Sequence, residues 1–391
     1  MSALKLISVK YSERVDKPKE WTLDGLTLGP INLIVGTNAT GKTRTLNIIG
    51  NFAKMFVPQP NQPRFRPGNA NYDLLFEKYG ERLRYILMIE NGKVMREEFY
   101  IGSDRLLNRG PSGEGDIYAE EEKKAIRFKP PVDELAAVIR RDSIQHPFLE
   151  QLHDWALAVR HYTFGTPLGK DHLAVFVKDA PDADERDANQ VIGIFRKAER
   201  DYGTTFTDAV KQDMTRMGYN IEQVLLSNME SIKVIKGGIP AELQGICVKE
   251  SNIDGIIDQN EISQGMFRAL SIIIQVNYSQ LTHSADCILI DDIGEGLDFD
   301  RSTRLIDLLR EKAKISLFQL IMTTNDRFVM NSIPLEEWAV LQRQGGHVQV
   351  RNYENSRELF EEFKFTGLGN FSFLELDFAK DYDSKETTIN E

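Results

Sequence analysis

An apolar run, "INLIVG", leads straight into "GTNATGKT", Gly36 to Thr43, and that junction limits what the chain can fold into more than any other stretch. Gly36-x4-Gly41-Lys42-Thr43 has the spacing of a phosphate-binding loop. The glycines let the backbone turn tightly and aim N–H groups at phosphate oxygens. A helix beginning behind them points its positive end at the same anion. Lys42 is then placed to reach the β- and γ-phosphates, and the Thr43 hydroxyl to ligate Mg²⁺. The pattern carries this meaning only between a strand and a helix. Both are expected here. "INLIVG" reads as a buried strand, and Leu46, Ile49, Phe52, Ala53 and Phe56 recur at helical spacing from about Gly41 onward. A ligand-free Gly/Asn/Thr turn is the plain alternative.

Two more elements bear on that choice. The strand-like "CILIDD", residues 287–292, ends in two acids, as a Walker B strand does. Its carboxyl end would deliver Asp291 to a Mg²⁺ site beside the loop. Asp292 would orient or deprotonate an attacking water. A buried strand meeting solvent at two acids is the bland reading. Further upstream, "EISQGMFRALSIII" puts Ser263, Gln264 and Gly265 at the start of an apolar helix. A small-polar helix start is an anion site. A second one serving the same nucleotide in one subunit is redundant, but it makes sense facing a nucleotide held by a second copy. An ordinary serine N-cap is the alternative.

Composition bounds the rest. The chain has 391 residues, enough for one large domain with an insertion or for two lobes. The formal net charge of −11 argues against a surface devoted to nucleic acid. Arg64, Arg66, Arg140 and Arg141 are the candidates for a local basic patch. No stretch approaches the roughly 18 apolar residues that span a bilayer, and the N-terminus lacks the apolar core of a signal peptide. Cys247 and Cys287 lie in strand-like apolar segments, which suits free buried thiols and a cytoplasmic location. The six histidines are scattered, and no metal cluster is expected among them.

Along the chain, residues 3–10 and 20–28 read as strands. "RYILMIENGKVMREEFY" reads as a hairpin about Asn91-Gly92, and "LLNRGPSGEGD" as a flexible loop. An amphipathic helix follows, with the stripe Leu149, Leu152, Trp155, Ala156 and Val159. Residues 170–239 change character. "DERDANQVIGIFRKAERDYG" and "TTFTDAVKQDMTRMGYNIEQVLL" give two charged helical patterns, taken as an inserted, mostly helical subdomain. "ESIKVIKGG" and "LQGICVKE" read as strands. Beyond Ser263 helices and strands alternate, which implies parallel pairing. Residues 353–391 read as a solvated acidic tail, with partner docking as the alternative.

The order of phosphate loop, long insertion, "SQG" helix, "ILIDD", "GEGLD" and "LIMTTND" resembles the ABC-type ATPase heads of the SMC and RecF group. It looks closest to compact ATPases of the OLD (overcoming lysogenization defect) kind, without their nuclease domain. The resemblance implies an α/β P-loop NTPase. Its mixed central sheet would carry an antiparallel β-lobe, with the head split over 1–169 and 240–352. It implies ATP and Mg²⁺ as cofactors. Gly36, Thr37, Asn38, Ala39, Thr40, Gly41, Lys42, Thr43 and Arg44 would bind nucleotide, Thr43 and Asp291 would hold metal, and Lys42 and Asp292 would serve catalysis. Ser263, Gln264, Gly265 and Asp298 would act on a nucleotide held by a second subunit.

Two departures stand out. Asp292 occupies the place of a catalytic glutamate, and Asn325 the place of a switch histidine. Both imply a slow or triggered ATPase. Glu295 is a weaker candidate for the base, and no Mg²⁺-sensing glutamine can be assigned. The resemblance further implies a homodimer or higher oligomer formed through ATP. A separate effector protein would be its partner, in a setting such as bacterial antiphage defence. A DNA-clamping repair ATPase of the RecF kind is the alternative, and a transporter subunit is disfavoured by the β-hairpin.

Overall fold

The computed structural model describes residues 4–58, 65–176, 182–228 and 242–379. Strand β1 (Lys5–Glu13) pairs antiparallel with β2 (Trp21–Thr27); β3 (Ile31–Val35) follows and leads through the loop into helix α1 (Lys42–Phe56). A meander comes next: β4 (Ala70–Lys78), β5 (Glu81–Glu90), β6 (Lys93–Ile101), β7 (Asp104–Arg109), β8 (Gly115–Ala119) and β9 (Lys124–Phe128). Asn91 and Gly92 both adopt positive φ (50° and 74°), as a two-residue hairpin turn requires. Glu90 and Lys93 pair across it. The stretch read as a loop, residues 106–116, is strand at both ends, where it belongs to β7 and β8. Leu107 and Ile117 of these strands reach the core.

Helices α2 (Ala136–Ile139) and α3 (Pro147–Leu157) lead to β10 (Val159–Thr163). The expected helical stripe is buried at Leu149, Leu152, Trp155 and Ala156, but Val159 already belongs to the strand. Then come β11 (Ala174–Phe176), α4 (Val191–Tyr202), α5 (Thr204–Arg216), β12 (Ile221–Asn228) and β13 (Glu242–Glu250). After them run α6 (Gln264–Thr282), β14 (Cys287–Asp291), α7 (Phe299–Ser316), β15 (Gln319–Thr323) and α8 (Arg327–Ser332). The chain closes with β16 (Trp338–Gln344), β17 (His347–Asn352), α9 (Arg357–Phe365) and α10 (Ser372–Glu375).

Among the described residues one sheet of 14 strands runs β10-β14-β15-β3-β16-β17-β2-β1-β4-β5-β6-β7-β8-β9. From β10 to β16 neighbours are parallel, and from β1 to β9 they are antiparallel. The sheet is thus a mixed α/β core carrying an antiparallel lobe. Its central parallel strands β3, β14 and β15 are mostly apolar and buried at every position because both faces are covered. Successive residues alternate between two cores. Ile34, Leu289 and Ile321 point to α1 and α3, while Leu33, Ile288, Ile290, Leu320 and Met322 point to α6 and α7.

The insertion carries two strands that were not expected, β11 and β12, both paired with β13. The second helical pattern ends with α5 at Arg216, and the β-branched "IEQVLL" behind Gly218 forms β12, antiparallel to β13. The segment "ESIKVIKGG" lies outside the described residues. The helices of the insertion share the core of α6 and α7 through Phe195, Phe206, Val210 and Met214. A buried polar knot adds to this. Lys312 of α7 lies 2.7 Å from Asp213 of α5, and Asn277 of α6 donates to the same Asp213 oxygen at 2.7 Å.

The acidic C-terminal stretch is also different. Up to residue 379 it is folded, with Leu359, Phe360 and Phe363 of α9 and Phe373 of α10 buried. Phe360 and Phe373 stack with centroids 5.0 Å apart. The charged residues are numerous, but the phenylalanines recur at helical spacing, and burying them outweighs solvating the rest. Phe360→Ala is expected to lower unfolding free energy by about 3–5 kcal/mol in a denaturant titration. A loss below about 0.5 kcal/mol, typical of a surface site, would restore the solvated-tail reading.

Candidate functional site

Strand β3 ends at Val35, and the backbone then turns through Gly36–Thr40 into α1. Gly41 makes the turn possible with φ 110°. A Cβ there would lie 3.0 Å from Cζ2 of Trp21, so the loop packs directly on that ring. Ala39 is also left-handed, at φ 65°, and Arg343 of β16 donates to its carbonyl at 2.8 Å. Thr40 is buried and donates to the Thr37 carbonyl at 2.9 Å, while Thr37, Asn38 and Ala39 face solvent.

Helix α1 has no side-chain cap and no acid in its first turn. The first N–H groups of a helix have no partner within it, so this end offers donors and a positive dipole to an anion. The Lys42 ammonium donates to the carbonyls of Gly36 at 2.8 Å and Thr37 at 3.3 Å, folded back over the loop. Burial pushes its pKa down, against the pull of Asp292 and Asp291. Arg44 is turned from the loop toward Glu13, with which it forms an ion pair, and its guanidinium sits 4.3 Å over Trp21.

Three parallel strands deliver the acids and their partners to one edge. β14 ends at Asp291, buried at 2 % exposure. Its Oδ1 accepts from Thr43 Oγ1 at 3.1 Å and from Thr323 Oγ1 at 2.6 Å. The Asp292 N–H donates to that same Thr323 hydroxyl at 2.9 Å. Asn325, two residues past β15, donates to Asp292 Oδ1 at 3.0 Å. Burial raises the Asp292 pKa, and the negative charges of Asp291 and Glu295 add to the rise; Lys42 opposes it. Thr43 and Asp291 are hard oxygen donors, the type that Mg²⁺ takes, so this pair fits the expected metal.

A second group forms elsewhere on the chain. Ser263 caps α6, accepting from the Met266 N–H at 3.3 Å. Ser263 and Gln264 remain exposed. Gly265 has no room for a side chain, since a Cβ would lie 2.5 Å from the Gly296 carbonyl. The start of α6 therefore packs against the "GEGLD" turn. Asp298 at the end of that turn is exposed and caps α7, accepting from the Arg301 N–H at 3.0 Å. Arg268 donates to the carbonyls of Glu295 (3.1 Å), Gly165 (2.7 Å) and Thr166 (2.9 Å), tying this group to the loop after β10. Among the described residues, no hydrogen bond or ion pair joins Ser263, Gln264, Gly265 or Asp298 to the phosphate loop.

Sequence reasoning missed Trp21, Arg343, Arg268 and Thr323, because their partners lie far away in the chain. It also missed a cluster on α3, where ligand atoms of Glu150, His153 and Asp154 lie within 4.8 Å of one another. Arg141 approaches Glu150 at 3.6 Å there. The basic patch does not form as a free surface. Arg66 is paired with Asp133 at 3.2 Å and Glu134 at 2.6 Å, and Arg140 lies over the Phe128 ring. Arg64 is outside the described residues. Cys247 and Cys287 are free and buried, as expected. No described helix is long and apolar enough to cross a membrane.

No family model matches the chain, and a search of curated proteins finds no match. Solved structures do match. An SMC head bound to the C-winged helix domain of ScpA aligns with TM-score 0.51 at 12% identity, over 90% of this chain and 99% of that one. The SMC head domain from Thermotoga maritima gives 0.43 at 13% identity, over 89% and 98%. An SMC head with an extended coiled coil, bound to the C-terminal domain of ScpA from Pyrococcus furiosus, gives 0.48 at 12% identity, over 92% and 100%. The first of these likenesses shows the fold: it is that of an SMC head, the ABC-type ATPase fold.

Gly265→Ala is expected to force the start of α6 away from the 294–298 turn. The substitution should cost about 1–3 kcal/mol, the usual range for overpacking, with the far-ultraviolet dichroism unchanged. A variant as stable as the wild type would mean that the two elements are not in contact.

Proposed function

We propose that this protein binds Mg²⁺-ATP at residues 36–44, hydrolyses it slowly, and closes two copies of itself around the nucleotide. The observation that carries the first part is the uncapped start of α1, with Lys42 folded over the loop and Thr43 converging with Asp291. The α1 amides and Lys42 would hold the phosphates. Thr43 and Asp291 would hold Mg²⁺, which when bound neutralises charge on the β- and γ-phosphate oxygens. Asp292 would take a proton from water as the water oxygen bonds to the γ-phosphorus and the bond to the β–γ bridging oxygen breaks. The raised pKa of Asp292 suits a base. Its short side chain is also held by Asn325, which favours slow turnover.

The trans role of Ser263, Gln264, Gly265 and Asp298 is supported by their shared placement. An exposed helix start and an exposed acid are locked side by side by the Gly265–Gly296 contact. The insertion packs on α6 and α7, the two helices that begin at these residues. A protein docking on the insertion would act at that face. An SMC head of similar fold is bound to the C-winged helix domain of ScpA. By analogy a separate effector protein would bind this chain, in the antiphage setting that the sequence resemblance implies. The paired arginines of the expected basic patch weigh against a DNA clamp.

Lys42→Ala should abolish ATP binding in calorimetry, and micromolar affinity retained by that variant would refute the loop assignment. Asp292→Asn should bind ATP and accumulate as a dimer or larger species in sizing chromatography. If wild type and variant both stay monomeric with ATP, the trans role of Ser263 is wrong. Binding to DNA with a steep salt dependence would favour the clamp instead.

A further inference from the structure

Asp291 and Asp292 are consecutive, and side chains of consecutive strand residues point to opposite faces. Yet the charges of both carboxylates favour the protonated form of the same Lys42, against its burial. The reversal occurs at Asp292, which leaves the strand with φ 53°, a left-handed conformation that aspartate adopts more readily than most residues. Thr323 sits under this turn at the end of the neighbouring strand β15 and is fully buried at 0 % exposure. A hydroxyl has one proton and two lone pairs. The Thr323 proton goes to Asp291 Oδ1 at 2.6 Å, and one lone pair accepts the Asp292 N–H at 2.9 Å. A single buried oxygen thus orients the carboxylate expected to hold Mg²⁺ and pins the turn that swings the next carboxylate to the same side.

We infer that Thr323 is a positioning residue for the metal and water-activating acids, acting through Asp291 and Asp292 and not on the nucleotide. The inference rests on the ATPase reading above and adds to it a residue outside the phosphate loop and the acid pair. Partners of this kind, one bond removed from a metal ligand, typically change metal affinity 10–100-fold when removed.

The test uses the full chain and three variants. Thr323→Val keeps the shape and removes the hydroxyl. Thr323→Ser keeps the hydroxyl, and Thr323→Ala replaces the valine variant if the latter does not fold. Mn²⁺ binding is titrated by calorimetry on protein saturated with a non-hydrolysable ATP analogue. Analogue binding without metal is measured in parallel, and turnover is followed against Mg²⁺. Thr323→Val is expected to bind Mn²⁺ about 10–100-fold more weakly and to lose kcat, with metal-free analogue binding unchanged; Thr323→Ser is expected to restore both. Unmoved Mn²⁺ affinity in Thr323→Val, or a serine variant no better than valine, overturns the role of Thr323 alone. A wild type that binds no analogue overturns the nucleotide reading itself.

Discussion

One carboxylate oxygen, Oδ1 of Asp291, receives two hydroxyls from different parts of the chain. Thr43 brings the first turn of α1, and Thr323 brings the end of β15. The bonds can form because β14, β15 and β3 are consecutive parallel neighbours whose ends lie level. Parallel pairing aligns the carboxyl ends of all three strands on one edge, which is where open α/β sheets place their ligands. The phosphate loop, the acid pair and Asn325 meet there through backbone register. The rest of the sheet, with a core on each face, keeps that register fixed.

The second group of residues obeys a different constraint. Ser263 and Asp298 both cap helices, α6 and α7, and both remain exposed. They are held together by the absence of a side chain at Gly265 and by the three carbonyl contacts of Arg268. The polar knot of Asp213, Asn277 and Lys312 joins the same helices to the insertion. Its groups are buried and mutually paired, so shifting one partner leaves another unsatisfied. The insertion is therefore tied to the bodies of the two helices that begin at Ser263 and Asp298.

Legibility followed the range of each interaction. The strand–loop–helix junction at Gly36–Thr43 was readable because its signals are local: glycines, lysine, threonine and the following helix are contiguous. "CILID" and "QLIMT" were readable as buried strands because apolar runs of that length have few other uses. The second helical pattern was misread past Gly218. Glutamate and glutamine in "IEQVLL" suit a helix, and only pairing with β13 decides for a strand. The tail was misread because charge density hid the spacing of its phenylalanines, which matters only once a core is there to receive them.

The sequence by itself determined a glycine-rich loop between a strand and a helix, and a later strand ending in paired acids, because those residues need only their own neighbours to form these elements. Tertiary structure alone decided which groups meet. It set Thr323 beneath both acids, turned Arg44 to Glu13 and Trp21, put Arg343 on the loop, and closed Arg66 into ion pairs. These contacts join residues from distant parts of the chain through sheet order and register, and no local propensity encodes that order.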